Sequence, residues 1–208
     1  MKRVLWMVLL TLALPLAAFA GSVDFSAQNG TLSGGNSGLS LTGQQAQLIS
    51  GLTPTTLMGS DLAAISFTTG AFVTGNAVMG GTFGSGGTFT IVAENVPGIA
   101  NGTTIFSGQF TCGDGGPCSW TLTNPNNPNG NHQYTLDGAI SGTWYNGTTV
   151  SGVTLQTTVN TGKGLFSGSA AVISGDTSFT TTPEPGSLML MGTGLVGMAG
   201  VLRRKLKA

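Results

Sequence analysis

The chain has 208 residues, of which 35 are Gly, 7 are Lys or Arg and 7 are Asp or Glu. Soluble domains usually carry about a quarter charged residues and about 7% Gly, so a charged fraction of 7% excludes the composition of an ordinary cytosolic enzyme. Residues 21–182 set one base, Lys163, against Asp24, Asp61, Glu94, Asp114, Asp137 and Asp176, a formal −5, which excludes binding to a phosphate backbone, where several bases are needed.

Residues 1–20 open with Lys2-Arg3, continue as an apolar run from Val4 to Leu14, and end in Pro15 and the small-residue stretch Ala17-Ala18-Phe19-Ala20. Charge, apolar run and an A-x-A site in that order make a secretory signal peptide with cleavage after Ala20. Residues 21–182 then form one exported domain, long enough for a core of its own.

Within that domain no apolar stripe of helical period stands out, whereas Thr, Val, Phe and Gly dominate, which points to strands and tight turns. Residues 26–60, rich in Gly, Ser and Gln, read as edge strands or loose coil. Strands are expected at Ala71–Thr74, Val78–Phe83 and Thr88–Ala93. Next, Ile105–Thr111 and Ser119–Thr123 read as a hairpin joined by Cys112-Gly-Asp-Gly-Gly-Pro-Cys118. Two cysteines in an exported chain are expected to be oxidised to each other, and pairing Cys112 opposite Cys118 would set Phe110 opposite Trp120. The tract from Asn124 to Asn131 reads as a surface loop, because Pro removes donors and Asn-Gly favours turns.

The clearest strand is Tyr134-Leu136-Gly138-Ile140-Gly142-Trp144, alternating with Thr135, Asp137, Ala139, Ser141, Thr143 and Tyr145. Period two means one buried face. Asn146-Gly147 follows and reads as a type I′ hairpin turn. Pairing Tyr145 with Thr148 would bring Tyr134 opposite Val159, Gly138 opposite Leu155 and Ile140 opposite Val153, with the apolar side chains of both strands on one face. Thr161-Gly162-Lys163-Gly164 reads as a further turn and Leu165–Ile173 as a last strand. Short strands with Gly-rich turns predict an all-β fold, an antiparallel β-sandwich or jelly roll.

Beyond Thr182 come Pro183-Glu184-Pro185, an uncharged apolar stretch to Leu202, and the basic tail Arg203-Arg204-Lys205-Leu206-Lys207. As a helix the 18 uncharged residues from Pro185 to Leu202 would reach about 27 Å, enough to span a bilayer. The positive-inside rule puts Arg203, Arg204, Lys205 and Lys207 in the cytoplasm and residues 21–182 outside. The order of tripeptide, apolar helix over 186–202 and terminal basic cluster resembles the PEP-CTERM sorting signal of exported bacterial proteins. The resemblance covers residues 183–208. It implies recognition of Pro183, Glu184 and Pro185 by a membrane-embedded exosortase that cleaves near them, in hosts that make extracellular polysaccharide. The precursor would be anchored in the inner membrane after passage through the secretion machinery, and the product would reside in the cell envelope or outside the cell.

Few residues invite chemistry. His132 is the single histidine, beside the Asn-Pro tract, and a Ser-His-Asp relay also needs an activated nucleophile that no G-x-S-x-G elbow provides. No Cys-x-x-Cys or histidine cluster suggests a metal, and no cofactor is expected. Glu94 could pair with an aspartate for glycoside hydrolysis only across a cleft. Gly192-Thr-Gly194-Leu-Val-Gly197 has the dinucleotide-loop spacing but lies inside the apolar stretch with no strand before it. Asn29, Asn101 and Asn146 each begin Asn-Gly-Thr, read here as turns. Trp120, Trp144, Tyr145 and His132 could form a sugar-stacking platform. The alternation sends Trp144 to the buried face, leaving Tyr145 and His132 as the ligand contacts to examine. The expectation is a non-enzymatic structural or adhesive protein; the alternative is a carbohydrate-binding module for extracellular polysaccharide.

Overall fold

The structure, a computed structural model, describes residues 22–112, 118–123 and 131–180. The signal peptide expected over residues 1–20, the membrane-spanning helix expected over 186–202 and the basic tail lie outside the described residues. Twelve strands run in chain order: β1 (Ser22–Gln28), β2 (Thr31–Gly35), β3 (Gly38–Ser50), β4 (Leu57–Thr68), β5 (Phe72–Asn76), β6 (Gly80–Phe83), β7 (Gly86–Ala93), β8 (Thr104–Phe110), β9 (Ser119–Leu122), β10 (Asn131–Trp144), β11 (Thr149–Lys163) and β12 (Ser169–Thr180).

Antiparallel pairing passes from β1 to β3, β4, β7, β8, β10, β11 and β12, and β12 pairs back onto β1. The result is a closed barrel of eight strands. The four short strands prolong barrel strands at one end. β2 continues β1 between β3 and β12. β5 and β6 are the far half of the hairpin whose near half is β4 and β7. β9 continues β8 along β10 and also pairs with β6. Each barrel strand therefore neighbours the next one in sequence, an up-and-down meander.

The sheet does not divide into the two facing layers of a sandwich or jelly roll. β3, β10, β11 and β12 have 13, 14, 15 and 12 residues, long enough for twist and tilt to bring the first and last strands together and remove both edges. A sandwich and a barrel share the same in-out alternation, so the pattern alone does not separate them.

Residues 26–60 are mostly strand, against the expectation of edges or coil. β3 is paired along both sides, with Leu39, Leu41, Ala46 and Ile49 buried and Ser40, Thr42 and Gln45 on the other face. Asn29-Gly30 is not a hairpin turn: both residues have positive φ (63° and 90°) and put a kink between the collinear β1 and β2. Gly30 is needed there because a Cβ would press on the backbone of Gln44.

The register expected for β10 and β11 holds from Gln133↔Asn160 through Tyr134↔Val159, Gly138↔Leu155 and Ile140↔Val153. It slips beyond Ile140, so that Gly142 faces Val150. The connection is a three-residue loop, in which Trp144 N–H donates to the Thr148 carbonyl (2.9 Å) and Gly147 N–H to the Trp144 carbonyl (2.8 Å). Only Gly147 takes positive φ, 84°, in place of the two such residues of a type I′ turn. Similarly, Lys163 ends β11, and the turn spans residues 164–168.

Aromatic rings run through the interior in an unbroken chain of contacts. Phe25, Phe179, Trp144 and Phe106 meet at the end where the chain enters and leaves, with centroids 4.6–6.5 Å apart. Phe89, Phe67, Phe110 and Phe83 carry the contacts onward. Gly138 and Gly142 lie under this column: a Cβ at either would collide with the ring of Phe110 or Phe106. The glycines inside the best strand of the sequence thus make room for rings from the neighbouring β8.

Candidate functional site

The outer wall is polar where the inner wall is aromatic. Ser66-Phe67-Thr68 on β4 and Thr88-Phe89-Thr90 on β7 show the alternation directly: the phenylalanines are buried, while Ser66 Oγ lies 2.8 Å from Thr90 Oγ1 and Thr68 Oγ1 3.0 Å from Thr88 Oγ1. Strand register aligns further rows, such as Ser169, Ser33, Ser40, Thr68 and Thr88 across β12, β2, β3, β4 and β7. A barrel facing lipid needs the reverse pattern, apolar outside. This wall is built to face water or a polar partner.

The acids stand on the same wall with polar partners. Gln156 Nε2 donates to Asp137 Oδ1 (2.9 Å), Ser26 Oγ to Asp176 Oδ1 (2.7 Å) and Ser50 Oγ to Asp24 Oδ2 (3.5 Å). Asp137, Gln156 and Asp176 face one another across β10, β11 and β12, which sets the two carboxylates about 10 Å apart at the usual strand spacing. They project from a convex surface, whereas glycoside hydrolysis needs the pair to flank an enclosed sugar bond. Among the described residues no three of His, Cys, Asp and Glu group as metal ligands.

Trp120 and Trp144 are buried. Trp120 stacks on Tyr134 at 4.8 Å and donates its indole N–H to the Ala77 carbonyl at 2.8 Å. Tyr145 is 56% exposed, in the β10–β11 loop. His132 is half-buried near the other end of β10, so about 40 Å of strand separates it from Tyr145, and the four residues make no common platform. Cys112 and Cys118 form a disulfide with Cα atoms 5.3 Å apart. β8 and β9 do not pair with each other as a hairpin; they lie end to end on β10, with Phe110 opposite Ile140 and Trp120 opposite Leu136. The bridge therefore joins two segments that lie in line along β10. β10 offers an unbroken partner to both segments, and this competes with local pairing.

The two ends of the described chain meet. Ser22 pairs with Thr180 and Val23 with Phe179, and Phe179, fully buried, packs on Phe25 (5.7 Å), Phe106 (4.8 Å) and Trp144 (4.6 Å). One residue beyond Thr180 a recognisable sequence begins: residues 181–205 match the family described as the PEP-CTERM protein-sorting motif. The chain carries a PEP-CTERM sorting motif. No curated protein and no solved structure matches the chain. The motif includes Pro183, Glu184, Pro185, Arg203, Arg204 and Lys205, while Lys207 lies past it; all seven are outside the described residues. The PEP-CTERM motif implies an exported protein with a membrane-anchored precursor, sorted by exosortase.

The sequence alone missed Phe179 as the clamp on the last strand and the hydroxyl rows as a continuous wall. Phe179 sits in Thr177-Ser-Phe179-Thr180 with Thr177 and Thr181 at the period-two positions on either side, a weak signal. The rows depend on cross-strand register, which no single segment contains.

Proposed function

We propose that the barrel is a non-catalytic structural or adhesive module, exported and delivered by its PEP-CTERM motif to the cell envelope or the extracellular matrix. The observation that carries this reading is the division of labour between the walls. An eight-stranded barrel holds at most a small ligand, and here the axis is filled by touching rings, leaving the Ser- and Thr-rich exterior as the surface that meets a partner. Arg203, Arg204, Lys205 and Lys207 hold the precursor's tail in the cytoplasm, and Pro183-Glu184-Pro185 is the part that exosortase reads. Fractionation with an antibody to the barrel tests the sorting step. Replacing Pro183-Glu184-Pro185 with Ala-Ala-Ala should leave an anchored, unprocessed precursor, and maturation like wild type would overturn the reading.

A second reading, a carbohydrate-binding module, rests on exposed Tyr145 beside Asn146, an aromatic face next to an amide on a protruding loop. Residues 21–182 applied to a glycan array decide between the two. Binding that disappears in Tyr145→Ala would establish the module, and no binding would leave the structural role.

A further inference from the structure

We propose that Gln44, Thr157 and Gly175 form a hydration site inside the barrel, in which a water molecule joins the amide on β3 to the hydroxyl on β11. Gln44 and Thr157 are fully buried, and Gln44 Nε2, Gln44 Oε1 and Thr157 Oγ1 have no hydrogen-bond partner among the described residues. Buried polar atoms are rarely left unpaired, because each has lost its hydration for nothing in return. β3 is shaped to turn this amide inward. Strict alternation after buried Leu41 would put Gly43 and Gln45 inside. Instead β3 has one extra residue between Leu41↔Phe67 and Gln44↔Ile65, with Gly43 at a φ of 70°. The bulge resets the alternation, so that Gln44 and Ala46 face the interior.

Small residues leave the room. Ala27 pairs with Ala46 on one side and Gly175 on the other, and all three are buried. Gln44 Cδ and Oε1 lie 3.0 and 3.1 Å from the point where a Cβ of Gly175 would sit. Thr157 stands directly opposite Gly175, which puts its own Cβ about 5 Å from that point. The amide and the hydroxyl therefore share one pocket without bonding each other, a separation that a bridging molecule spans. Its occupant must both donate and accept, because Nε2 only donates and Oε1 only accepts. It must be neutral, since no charged side chain is buried among the described residues. Water meets both conditions and finds three polar atoms to bond. The bridge would link β3 to β11, which do not pair and have β1 and β12 between them.

Relaxation dispersion of isotopically enriched water oxygen provides the test, because it counts long-resident internal waters and is blind to hydroxyl protons. The full chain in detergent is compared with the Gln44→Met, Thr157→Val double variant, which keeps both volumes and removes every polar side-chain atom of the site. The double variant should lose the amplitude of one internal water and keep the wild-type circular dichroism spectrum. Thr157→Val alone, a change of equal volume, should shorten the residence of that water at least tenfold. Unchanged amplitude and residence in Thr157→Val would overturn the site, whether or not the double variant folds. Native mass spectrometry of the wild type checks the occupant. A small solute that adds mass to the folded chain, and is missing from Thr157→Val, would overturn its assignment to water.

Discussion

The two ends of the barrel are held together by different physics. At the end where the chain enters and leaves, Phe25, Phe106, Trp144 and Phe179 pack ring on ring, all on barrel strands, with Trp144 at the last position of β10. At the far end β5, β6 and β9 form an extension whose second aromatic cluster, Trp120, Tyr134 and Phe166, is fastened by directional bonds. Tyr134 Oη donates to the Val78 carbonyl (2.7 Å) and accepts from Phe166 N–H (3.0 Å), while Trp120 fixes the Ala77 carbonyl. That end also exposes Val73 (71%) and Met79 (61%). Closure by burial spreads stability over many strands; a few hydrogen bonds hold the extension locally.

Breaking the burial-dominated end should therefore cost most. Phe179→Ala removes a fully buried ring and should lower stability by about 3–5 kcal/mol, seen as a drop in the denaturant midpoint of residues 21–182 with the whole barrel melting together. A drop under about 1 kcal/mol would mean that β12 is not clamped. The Cys112→Ser, Cys118→Ser double variant lies between the two regions and should cost about 2 kcal/mol on the loop-entropy model, with reduction of the wild type giving the same loss. Tyr134→Phe sharpens the contrast. It should cost about 1–2 kcal/mol, and hydrogen exchange should speed up over residues 72–83 and 163–168 while amides of β1 and β12 stay protected. Equal acceleration at both ends would refute the independence of the extension. Gly147→Ala is the smallest change: φ of 84° strains any side chain, but a Cβ there meets nothing within 4 Å, so about 1 kcal/mol is expected by thermal melting.

The alternation from Tyr134 to Trp144 was legible because Leu136, Ile140 and Trp144 follow a period of two, and Asn146-Gly147 fixed where the chain reverses. The register held from Gln133 to Ile140 and failed at both ends, where β11 accommodates an extra residue between Val150 and Val153 and another between Asn160 and Gly162. β1 to β4 were illegible because their inward residues include Ala and Gln and their outward ones Ser and Thr, a low-contrast pattern. Gln44 shows why composition misleads: it is fully buried, its amide lying where a Cβ of Gly175 would be.

By itself the amino-acid sequence determined what is written in contiguous residues: the strand period, the cysteine pair and the PEP-CTERM motif, each carried by local charge, hydropathy or spacing. Only the tertiary structure decided that the sheet closes as a barrel, that β8 and β9 share β10 instead of pairing, and that Phe179 locks the chain next to the motif. Those outcomes depend on which distant strands win the competition for each backbone edge, and that competition is settled by the packing of rings that lie far apart in the chain.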